Sequence, residues 1–326
     1  MSIFLSSLSL VAGLLALVFA ADRFVDAAAA LARGLRLPAS VIGLTVVGFG
    51  SAAPELLVAG IAALQGSPQL ALGNALGSNV TNFTGVLGVV ALASPLLIPR
   101  ELLFRDLALL LGFIVLAVVL ILDGVLGRVD GVVLLVALGL YLYASYRLPS
   151  GERGSDLGQN SPSPSPDDAA VGAEPSVLRA AIFTLLSLAI LIGGAHLLVS
   201  GATSIARALG VGEVVIGLTI VAFGTSLPEL TASIAAARAG HGGLAIGNLI
   251  GANIYNVLAV LGVPAVIAGV RSEPTLMVRD LPLVLGALAL FGGLALLSTK
   301  RRRRLGRAEG ALLTGAYLAY LLVIAS

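Results

Sequence analysis

A fifty-residue segment of this chain occurs twice, and this duplication constrains the fold more than any other feature of the sequence. Residues 41–90 align without a gap with residues 215–264, at a constant offset of 174, and twenty-five of the fifty positions are identical. The identities centre on two polar patches, which read GFGSAAPE and GNALGSNVTN in the first copy and AFGTSLPE and GNLIGANIYN in the second. A duplicated apolar segment that keeps a glutamate, a proline and several asparagines predicts a cation pathway.

The composition places this duplication in a membrane. Hydrophobic residues make up 58% of the chain, charged residues 11%, and the mean hydropathy is +1.06, far from the values of a soluble domain. A spanning helix takes roughly 20 apolar residues, and ten such stretches predict an all-α membrane protein with ten transmembrane helices. The predicted spans are 5–27, 37–64, 70–96, 103–122, 131–146, 178–200, 211–237, 244–270, 281–297 and 311–324.

The basic residues of the loops predict the orientation in the membrane. If successive loops are assigned alternately to the two sides of the membrane, one side has only Arg128, Arg207, Arg271 and Arg279. The richer face holds Arg33, Arg36, Arg100, Arg105, Arg147, Arg153, Arg179, Arg238 and the cluster at residues 300–307. Because basic loops stay on the cytoplasmic side, we expect a protein of the plasma (inner) membrane whose two termini are both extracytoplasmic.

Five spans in each half is an odd number, so the two copies are expected to be inserted in opposite senses. Inverted repeats of this kind are a recurring plan of secondary transporters, with broken helices and the substrate site at the midplane. The predicted units are a first five-helix half at residues 1–149 and a second at residues 177–326. Residues 150–176, rich in Ser and Pro, are predicted to form a flexible cytoplasmic linker.

Glu55 and Glu229 occupy equivalent positions of the two copies and are the candidate centre of the pathway. A carboxylate at bilayer depth is costly and is retained mainly where it is paired or lines a pathway. Ser51 and Thr225 each lie four residues earlier, so the helical spacing predicts that each hydroxyl faces the same way as its carboxylate. The alternative, a hydrogen-bonded pair without a transported ion, is disfavoured because two inverted copies keep the same arrangement.

A proline precedes each glutamate and predicts a break in the helix. Pro54 and Pro228 cannot donate to the carbonyl four residues earlier, which frees the C=O groups of Gly50 and Gly224. Freed carbonyls at membrane depth are tolerated only where protein or a cavity satisfies them. Carbonyls, hydroxyls and two carboxylates are the oxygen ligands that a hard cation such as Ca²⁺ takes.

Asparagines mark the second polar patch of each copy. Asn74 and Asn248 offer neutral amide oxygens to the same site. A further group is interpreted as either ligands or interhelical hydrogen-bond pins, namely Asn79, Asn82, Asn253 and Asn256.

At these residues the chain resembles the sodium/calcium exchanger members of the cation/calcium exchanger superfamily. The α-repeats of that family carry G-[ST]-S-x-P-E and G-[ND]-x-x-G-[SA]-N signatures, which appear here as GSAAPELL, GNALGSN, GTSLPEL and GNLIGAN. The resemblance extends over nearly the whole chain and implies ten helices and Ca²⁺ extrusion driven by Na⁺ entry. It assigns the central carboxylates to Glu55 and Glu229, and it assigns the remaining ligands to Ser51, Thr225, Ser226 and Asn74.

The chain departs from the family pattern near the predicted sodium ligands. Ala52 stands where the family usually has Ser, whereas the second copy keeps Ser226. Asn248 fills a position that is often Asp, and Leu70 and Leu244 occupy positions where relatives can place serine ligands. These changes remove oxygen ligands from the sodium sites that the resemblance implies on either side of the central calcium site.

Two alternatives to sodium-coupled exchange stay open. Two ionised glutamates neutralise one Ca²⁺, two Na⁺ or two protons, so an H⁺-coupled exchanger of Ca²⁺ or another divalent cation is the nearer alternative. A cation channel would use the same oxygens without obligatory exchange, and the repeat symmetry disfavours it. The chain has no cysteine and no motif of an enzyme or a nucleic-acid binder, so we expect a non-enzymatic, monomeric transport unit whose partners are ions and the bilayer, without a cofactor.

Overall fold

The computed structural model describes residues 3–35, 47–64, 66, 68–98, 102–147, 176–210, 222–272, 276–300 and 304–325. Residues 150–175 of the predicted linker lie outside this set, as do the first residues of each repeat, 41–46 and 215–221. The candidate site residues named above lie within it. Some basic residues used to predict the orientation lie outside it, namely Arg36, Arg100, Arg153 and residues 301–303.

The first half consists of helices interrupted by short π-helical turns. In chain order its elements are α1 (Ile3–Gly34), α2 (Gly48–Ser51), α3 (Ala53–Leu64), α4 (Pro68–Val80), a π-helical turn (Thr81–Val86), α5 (Leu87–Ala93), a second π-helical turn (Leu102–Asp106), α6 (Leu107–Leu120), strand β1 (Val125–Leu126) and α7 (Arg128–Arg147).

The second half repeats this order. Its elements are α8 (Val177–Ala208), α9 (Ala222–Thr225), α10 (Leu227–Arg238), α11 (Gly242–Tyr255), a π-helical turn (Asn256–Val260), α12 (Leu261–Ala268), strand β2 (Val270–Arg271), a further π-helical turn (Leu276–Asp280), α13 (Leu281–Lys300) and α14 (Arg307–Ala325). The all-α prediction therefore omits only two strands of two residues each.

The protein is a multi-pass helical membrane protein. Each predicted span overlaps helical residues, and among the described residues seven helices are long and apolar enough to cross a bilayer. These seven are Ile3–Leu31, Ala71–Ala93, Arg128–Ser145, Val177–Leu198, Gly242–Ala268, Val278–Ser298 and Arg307–Ile324.

The π-helical turns recur at the offset of the sequence repeat. The turn at Leu102–Asp106 has its counterpart 174 residues later at Leu276–Asp280, and each contains an Arg–Asp pair. Arg279 Nε lies 2.7 Å from Asp280 Oδ1, and the corresponding distance from Arg105 to Asp106 is 3.9 Å. Both dipeptides thus form a local ion pair, and the duplication extends beyond the fifty aligned residues.

The last helix of each half begins with the same cap. Asp130 Oδ2 accepts a hydrogen bond from the Gly127 amide at 2.7 Å, and Glu309 Oε2 accepts one from the Gly306 amide at 3.0 Å. A carboxylate that satisfies an unpaired amide at a helix N-terminus fixes where the helix starts. The two caps are 179 residues apart, so α7 and α14 correspond at this offset.

Strand pairing joins the two halves at two separate places. β1 pairs with β2 through Val125–Arg271 and Leu126–Val270, while Leu96 and Leu305 form an isolated antiparallel bridge. Leu96 and Val270 are equivalent positions of the repeat, and each pairs with the loop before the last helix of the opposite half. The first half therefore contacts the second in the same way as the second contacts the first.

Glycines bring the same helices into backbone contact. A Cβ atom on Gly131 of α7 would lie 2.7 Å from the Gly262 carbonyl oxygen, and one on Gly310 of α14 would lie 2.9 Å from that of Gly88. Gly88 and Gly262 are again equivalent positions. Small residues allow this close approach of helices within a membrane, so the last helix of each half packs directly on the third span of the other.

Helices α1 and α8 pack against each other along most of their length. A Cβ on Gly13 would lie 2.5 Å from the Leu198 amide nitrogen, and one on Gly201 would lie 2.5 Å from the Ser6 carbonyl oxygen. The α1/α8 pair contacts the remainder of the described structure mainly through α2, α9 and α10. It thus lies beside a core built from the repeat helices.

Candidate cation site

Glu55 and Glu229 lie at matching breaks in the repeat helices. α2 ends at Ser51 and α9 ends at Thr225, and the next residues have ψ angles of 0° and 7°, which interrupt the helix before α3 and α10 begin. Each glutamate falls in the first turn of its new helix. The predicted breaks are present, and they place each carboxylate near amides that favour negative charge.

The two carboxylates are fully buried and close to each other. Their residues are each 0% exposed, and they repel each other electrostatically. None of their four oxygens accepts a hydrogen bond of 3.5 Å or less from the residues that the structure describes. Because buried charges are ordinarily paired or coordinate a metal ion, this arrangement favours a site that holds a cation.

The nearest hydroxyl groups come from the opposite half of the chain. Thr225 and Ser226 lie beside the Glu55 carboxylate, and Ser51 lies beside that of Glu229. The sequence spacing predicted that each hydroxyl would face the carboxylate of its own repeat. That prediction assumed a continuous helix, and the break after Ser51 redirects the hydroxyl across the interface between the halves.

Asn248 connects the two halves at the same point. Ser51 Oγ donates a hydrogen bond to Asn248 Oδ1 at 2.9 Å, and Asn248 Nδ2 donates to Ser233 Oγ at 3.0 Å. The amide nitrogen also lies 3.5 Å from the backbone carbonyl of Glu229. Asn74 Nδ2 repeats this last contact with the carbonyl of Glu55 at 3.5 Å. The two predicted amides therefore contact the backbone of the glutamates, and the Asn248 oxygen is bonded by Ser51.

Gly50 and Gly224 are buried in the short helices that precede the breaks. The prediction that Pro54 frees the Gly50 carbonyl is wrong, because this oxygen accepts a backbone hydrogen bond in the turn at the end of α2. A Cβ on Gly50 would collide with the Leu188 side chain of α8. This glycine therefore allows the α1/α8 pair to approach the backbone next to the site.

A further pair of amides lies unpartnered in the core. Asn82 and Asn256 are buried, and no side-chain nitrogen or oxygen of either forms a hydrogen bond within the described structure. They are equivalent positions, at the start of equivalent π-helical turns, which frequently mark functional sites. Such turns were not predicted from the sequence, although the recurrence of these asparagines in the two copies was a usable signal.

The other two asparagines, Asn79 and Asn253, occupy equivalent positions but differ from each other. Asn253 Nδ2 donates to the Leu249 carbonyl within its own helix at 2.6 Å. Asn79 is buried beside a small apolar cavity between α4 and α6, and its amide is also unpartnered. The interpretation as interhelical pins therefore has no support from the hydrogen bonds of these four residues.

The donor set is suited to a hard cation. Among the described residues no group of three or more His, Cys, Asp or Glu side chains comes together. The site instead offers two carboxylates with surrounding hydroxyl and amide oxygens, the ligand types that Ca²⁺ and other hard ions take.

Comparison with known proteins identifies the family over most of the chain. The model of the family described as sodium/calcium exchanger protein matches residues 5–147 and 179–325. The chain is 38% identical over 314 residues to the putative antiporter CaxA of Alkalimonas amylolytica, covering 94% of this chain and 95% of that protein. It is 31% identical over 345 residues to the sodium/calcium exchanger MaX1 of Methanosarcina acetivorans, with 97% of each covered.

Solved structures of the sodium-calcium exchanger NCX_Mj share the fold. One, soaked with Na⁺ and no Ca²⁺, superposes with a TM-score of 0.79 at 33% identity and covers 99% of each chain. Another, soaked with Na⁺ and Sr²⁺, gives a TM-score of 0.80 at 32% identity, again with 99% of each chain covered.

Proposed function

The chain belongs to the sodium/calcium exchanger family, and from this premise we propose that it is a secondary antiporter that exports Ca²⁺ in exchange for Na⁺ by alternating access. The observation that supports this proposal most directly is the buried pair of Glu55 and Glu229, whose hydroxyl neighbours come from the opposite repeat. Since each carboxylate depends on the other half for its surroundings, a relative movement of the halves changes the site itself.

Ca²⁺ binds between the two carboxylates in this proposal. Their combined charge neutralises one divalent cation, which removes the cost of two adjacent buried negative charges. The neutral ligands are the hydroxyl oxygens of Ser51, Thr225 and Ser226, the amide oxygens of Asn74, Asn248, Asn82 and Asn256, and the carbonyl oxygens of Gly50 and Gly224.

The inverted arrangement of two five-helix halves is part of the proposal. It is supported by the strand pairs, because Leu96 with Leu305 and Leu126 with Val270 are equivalent contacts made in opposite directions. In the topology predicted from the loop charges, the first pair lies on the cytoplasmic face and the second on the outer face. An in-plane pseudo-two-fold axis exchanges two such faces.

The α1/α8 pair is proposed to move against the repeat core. Its two helices pack mainly on each other and meet the core at the broken segments α2, α9 and α10. Because Gly50 meets Leu188 of α8 next to the site, a displacement of the pair along its axis would open or close access to the carboxylates. Sliding of packed helices is a common mode of such transitions.

The proposed setting is the plasma (inner) membrane, with the transport unit a monomer, the linker cytoplasmic and the two termini outside. Ca²⁺ then leaves the cytoplasm as Na⁺ enters. The charge of the two carboxylates also supports a second candidate function, because a site that is neutralised by two Na⁺ is equally neutralised by two protons. That candidate is an H⁺-coupled exchanger of the same architecture.

The decisive experiment is radiolabelled Ca²⁺ flux into proteoliposomes under an imposed Na⁺ gradient or an imposed pH gradient. We expect flux under the Na⁺ gradient and none under the pH gradient alone. Flux driven by the pH gradient alone would replace Na⁺ by H⁺ as the counter-ion, and flux indifferent to either gradient would indicate a channel.

A further inference from the structure

A groove of about 580 Å³ lies between α1 and α8, apart from the two carboxylates. Neither Glu55 nor Glu229 lines it, and most of its lining side chains are apolar. Its charged and large apolar side chains include Phe19, Arg23 and Asp26 of α1 and Arg179, Phe183 and Ile190 of α8. A concave, mostly apolar site of this volume with a few charged side chains is typical of a ligand-binding pocket.

The charged side chains of the groove form no ion pair within the described part of the chain. Arg23, Asp26 and Arg179 are exposed on the surface of the protein, and none lies within 4.0 Å of an oppositely charged group among the described residues. The Arg23 guanidinium lies 3.6 Å from the centroid of the Phe19 ring and donates to the Phe19 carbonyl at 3.0 Å. Two arginines against one carboxylate leave the groove with a net positive charge.

The groove lies in the cytoplasmic half of the membrane in the proposed topology. Gly34 at the end of α1 meets the start of α8, because a Cβ on this glycine would lie 2.8 Å from Val177 Cγ2. Arg179 is therefore at the cytoplasmic end of the pair, whereas Arg23 lies deeper, roughly 16 Å along α1 from Gly34. An arginine at that depth is costly unless it reaches the membrane surface or acquires a counter-ion.

The equivalent positions at the outer end of the pair carry no charge. The offset of 174 relates Arg23 to Leu197, Asp26 to Ser200, Arg179 to Leu5 and Phe183 to Ser9. The two helices also pack closely at that end, where a Cβ on Gly201 would lie 2.5 Å from the Ser6 carbonyl oxygen. Helix packing therefore does not require the arginines, and their charge is confined to the end that faces the cytoplasmic leaflet.

We propose that this groove binds an anionic phospholipid of the cytoplasmic leaflet, whose phosphate pairs with Arg23 and Arg179. Guanidinium groups form charge-assisted, bidentate hydrogen bonds with phosphate, and basic pockets between membrane helices on the cytoplasmic side bind anionic headgroups. An acyl chain lies along Phe183 and Ile190. A headgroup that carries hydroxyl groups, as in phosphatidylglycerol, also supplies hydrogen-bond donors to the Asp26 carboxylate.

The bound lipid anchors the part of the protein that is proposed to move. Both α1 and α8 build the groove, so the lipid holds the α1/α8 pair to the cytoplasmic leaflet. Binding at this position does not depend on which ions the protein exchanges, and it is measured without any transport assay. Its failure would therefore leave the proposed function untouched.

The test uses a fluorescent reporter placed in the groove. The chain contains no tryptophan, so the indole of a Phe183→Trp variant reports on this position alone. In proteoliposomes, its quenching by brominated phosphatidylglycerol is compared with its quenching by brominated phosphatidylcholine. We expect phosphatidylglycerol to bind roughly fivefold more tightly than phosphatidylcholine, as one net positive charge near the membrane surface predicts.

Two controls separate a specific site from a general preference for anionic lipid. Ser9→Trp places the same reporter at the equivalent outer position, where we expect no preference between the two lipids. Adding Arg23→Gln and Arg179→Gln to the Phe183→Trp variant should abolish the preference. Equal preferences at the two reporters, or a preference that persists without the arginines, overturns the inference and leaves the arginines to determine only the orientation of the chain.

Glycerol phosphate distinguishes a lipid from a free phosphate compound, because it has the same phosphate chemistry without acyl chains. An excess should leave the quenching by brominated phosphatidylglycerol unchanged, and recovery of the fluorescence would refute a lipid as the occupant. If the double glutamine variant does not insert, Asp26→Asn in the Phe183→Trp background supplies the second test. It removes the carboxylate from the groove and should raise the preference for phosphatidylglycerol, so an unchanged or lower preference overturns the inference.

Discussion

The repeat core and the α1/α8 pair are built from similarly apolar sequence, yet they bury very different shares of it. In the core, 78% of an apolar 18-residue segment of Ala71–Ala93 and 83% of such a segment of Gly242–Ala268 are buried. In the pair, the shares for the corresponding segments are 24% within Ile3–Leu31 and 29% within Val177–Leu198. The asparagines of both repeats lie in the two spans that are most buried.

This difference in burial indicates how the protein keeps its binding site separate from the helices that are proposed to move. Lipid is as apolar as leucine, so exposed helices gain little from packing and are held by few contacts. The core is instead fixed by glycine contacts and by the ring of hydroxyl and amide groups around Glu55 and Glu229. A rigid core with a loosely attached helix pair allows access to change while the ligands stay together.

The largest effect is expected when the charge of the core site is changed. Replacing Glu55→Gln or Glu229→Gln removes one of the two charges that balance the cation, and each unit charge is worth on the order of 4 kcal/mol at 4 Å. Ca²⁺ flux in proteoliposomes should fall more than about 100-fold, while insertion and elution as a folded protein are preserved.

Asp123→Asn is the matched control for these two variants. Asp123 is exposed in a loop, where its Oδ1 accepts the Val125 amide at 3.0 Å, and asparagine retains that acceptor. The Ca²⁺ flux of the Asp123→Asn variant should equal that of the unmodified protein. Normal flux in either glutamine variant would refute the assignment of the site.

The second effect tests the rigidity of the core. In Gly131→Ala the new methyl group would meet the Gly262 carbonyl oxygen at 2.7 Å and the Val266 amide nitrogen at 2.8 Å. Because backbone cannot yield as a side chain does, we expect a loss of about 1–3 kcal/mol of stability, seen as a lower thermal midpoint in detergent.

Gly139→Ala, on the same helix, is the control for this substitution. A Cβ there meets nothing within 4 Å, and alanine favours a helix over glycine, so the midpoint should not fall. Equal midpoints for the two variants would contradict the close helix contact.

The third effect tests the α1/α8 pair. Gly13→Ala places a methyl group 2.5 Å from the Leu198 amide nitrogen and 2.6 Å from the Gly194 carbonyl oxygen. The helices must separate or shift, so we expect the transport rate to fall roughly tenfold, a barrier change of about 1.4 kcal/mol, with Ca²⁺ affinity retained.

Gly193→Ala is the control within the pair, since a Cβ at this position has open space. It should transport at the normal rate. If Gly13→Ala instead lowered Ca²⁺ affinity and left the rate unchanged, the pair would be part of the binding site rather than the moving element.

Much of this architecture was predictable, because periodic and local features determine it. Apolar stretches located the spans, and the prolines at 54 and 228 located the breaks that place Glu55 and Glu229 at new helix starts. The family follows from the paired signatures and is confirmed by the comparisons over 94% or more of the chain. The roles of the individual ligands stay predictions.

The partners of the site residues were not predictable, because they lie across the interface between the halves. Spacing within one helix assigned Ser51 to Glu55, but the break turns Ser51 toward Asn248 and Glu229. The π-helical turns that present Asn82 and Asn256 likewise depend on tertiary packing. A sequence shows which side chains recur in two copies, whereas their pairing requires the fold.

The smallest effect distinguishes a ligand of the site from its scaffold. Asn82→Ala removes a buried amide that has no protein partner in the described structure, so stability should change little. If the amide oxygen binds the cation, its loss costs about 1 kcal/mol, and Ca²⁺ affinity falls by roughly fivefold in isothermal titration. Asn253→Ala is the comparison, because that amide bonds the Leu249 carbonyl within its own helix and its loss should leave affinity unchanged. An equal affinity in the two variants would remove Asn82, and by symmetry Asn256, from the ligand set and leave the carboxylates and hydroxyls to bind the ion.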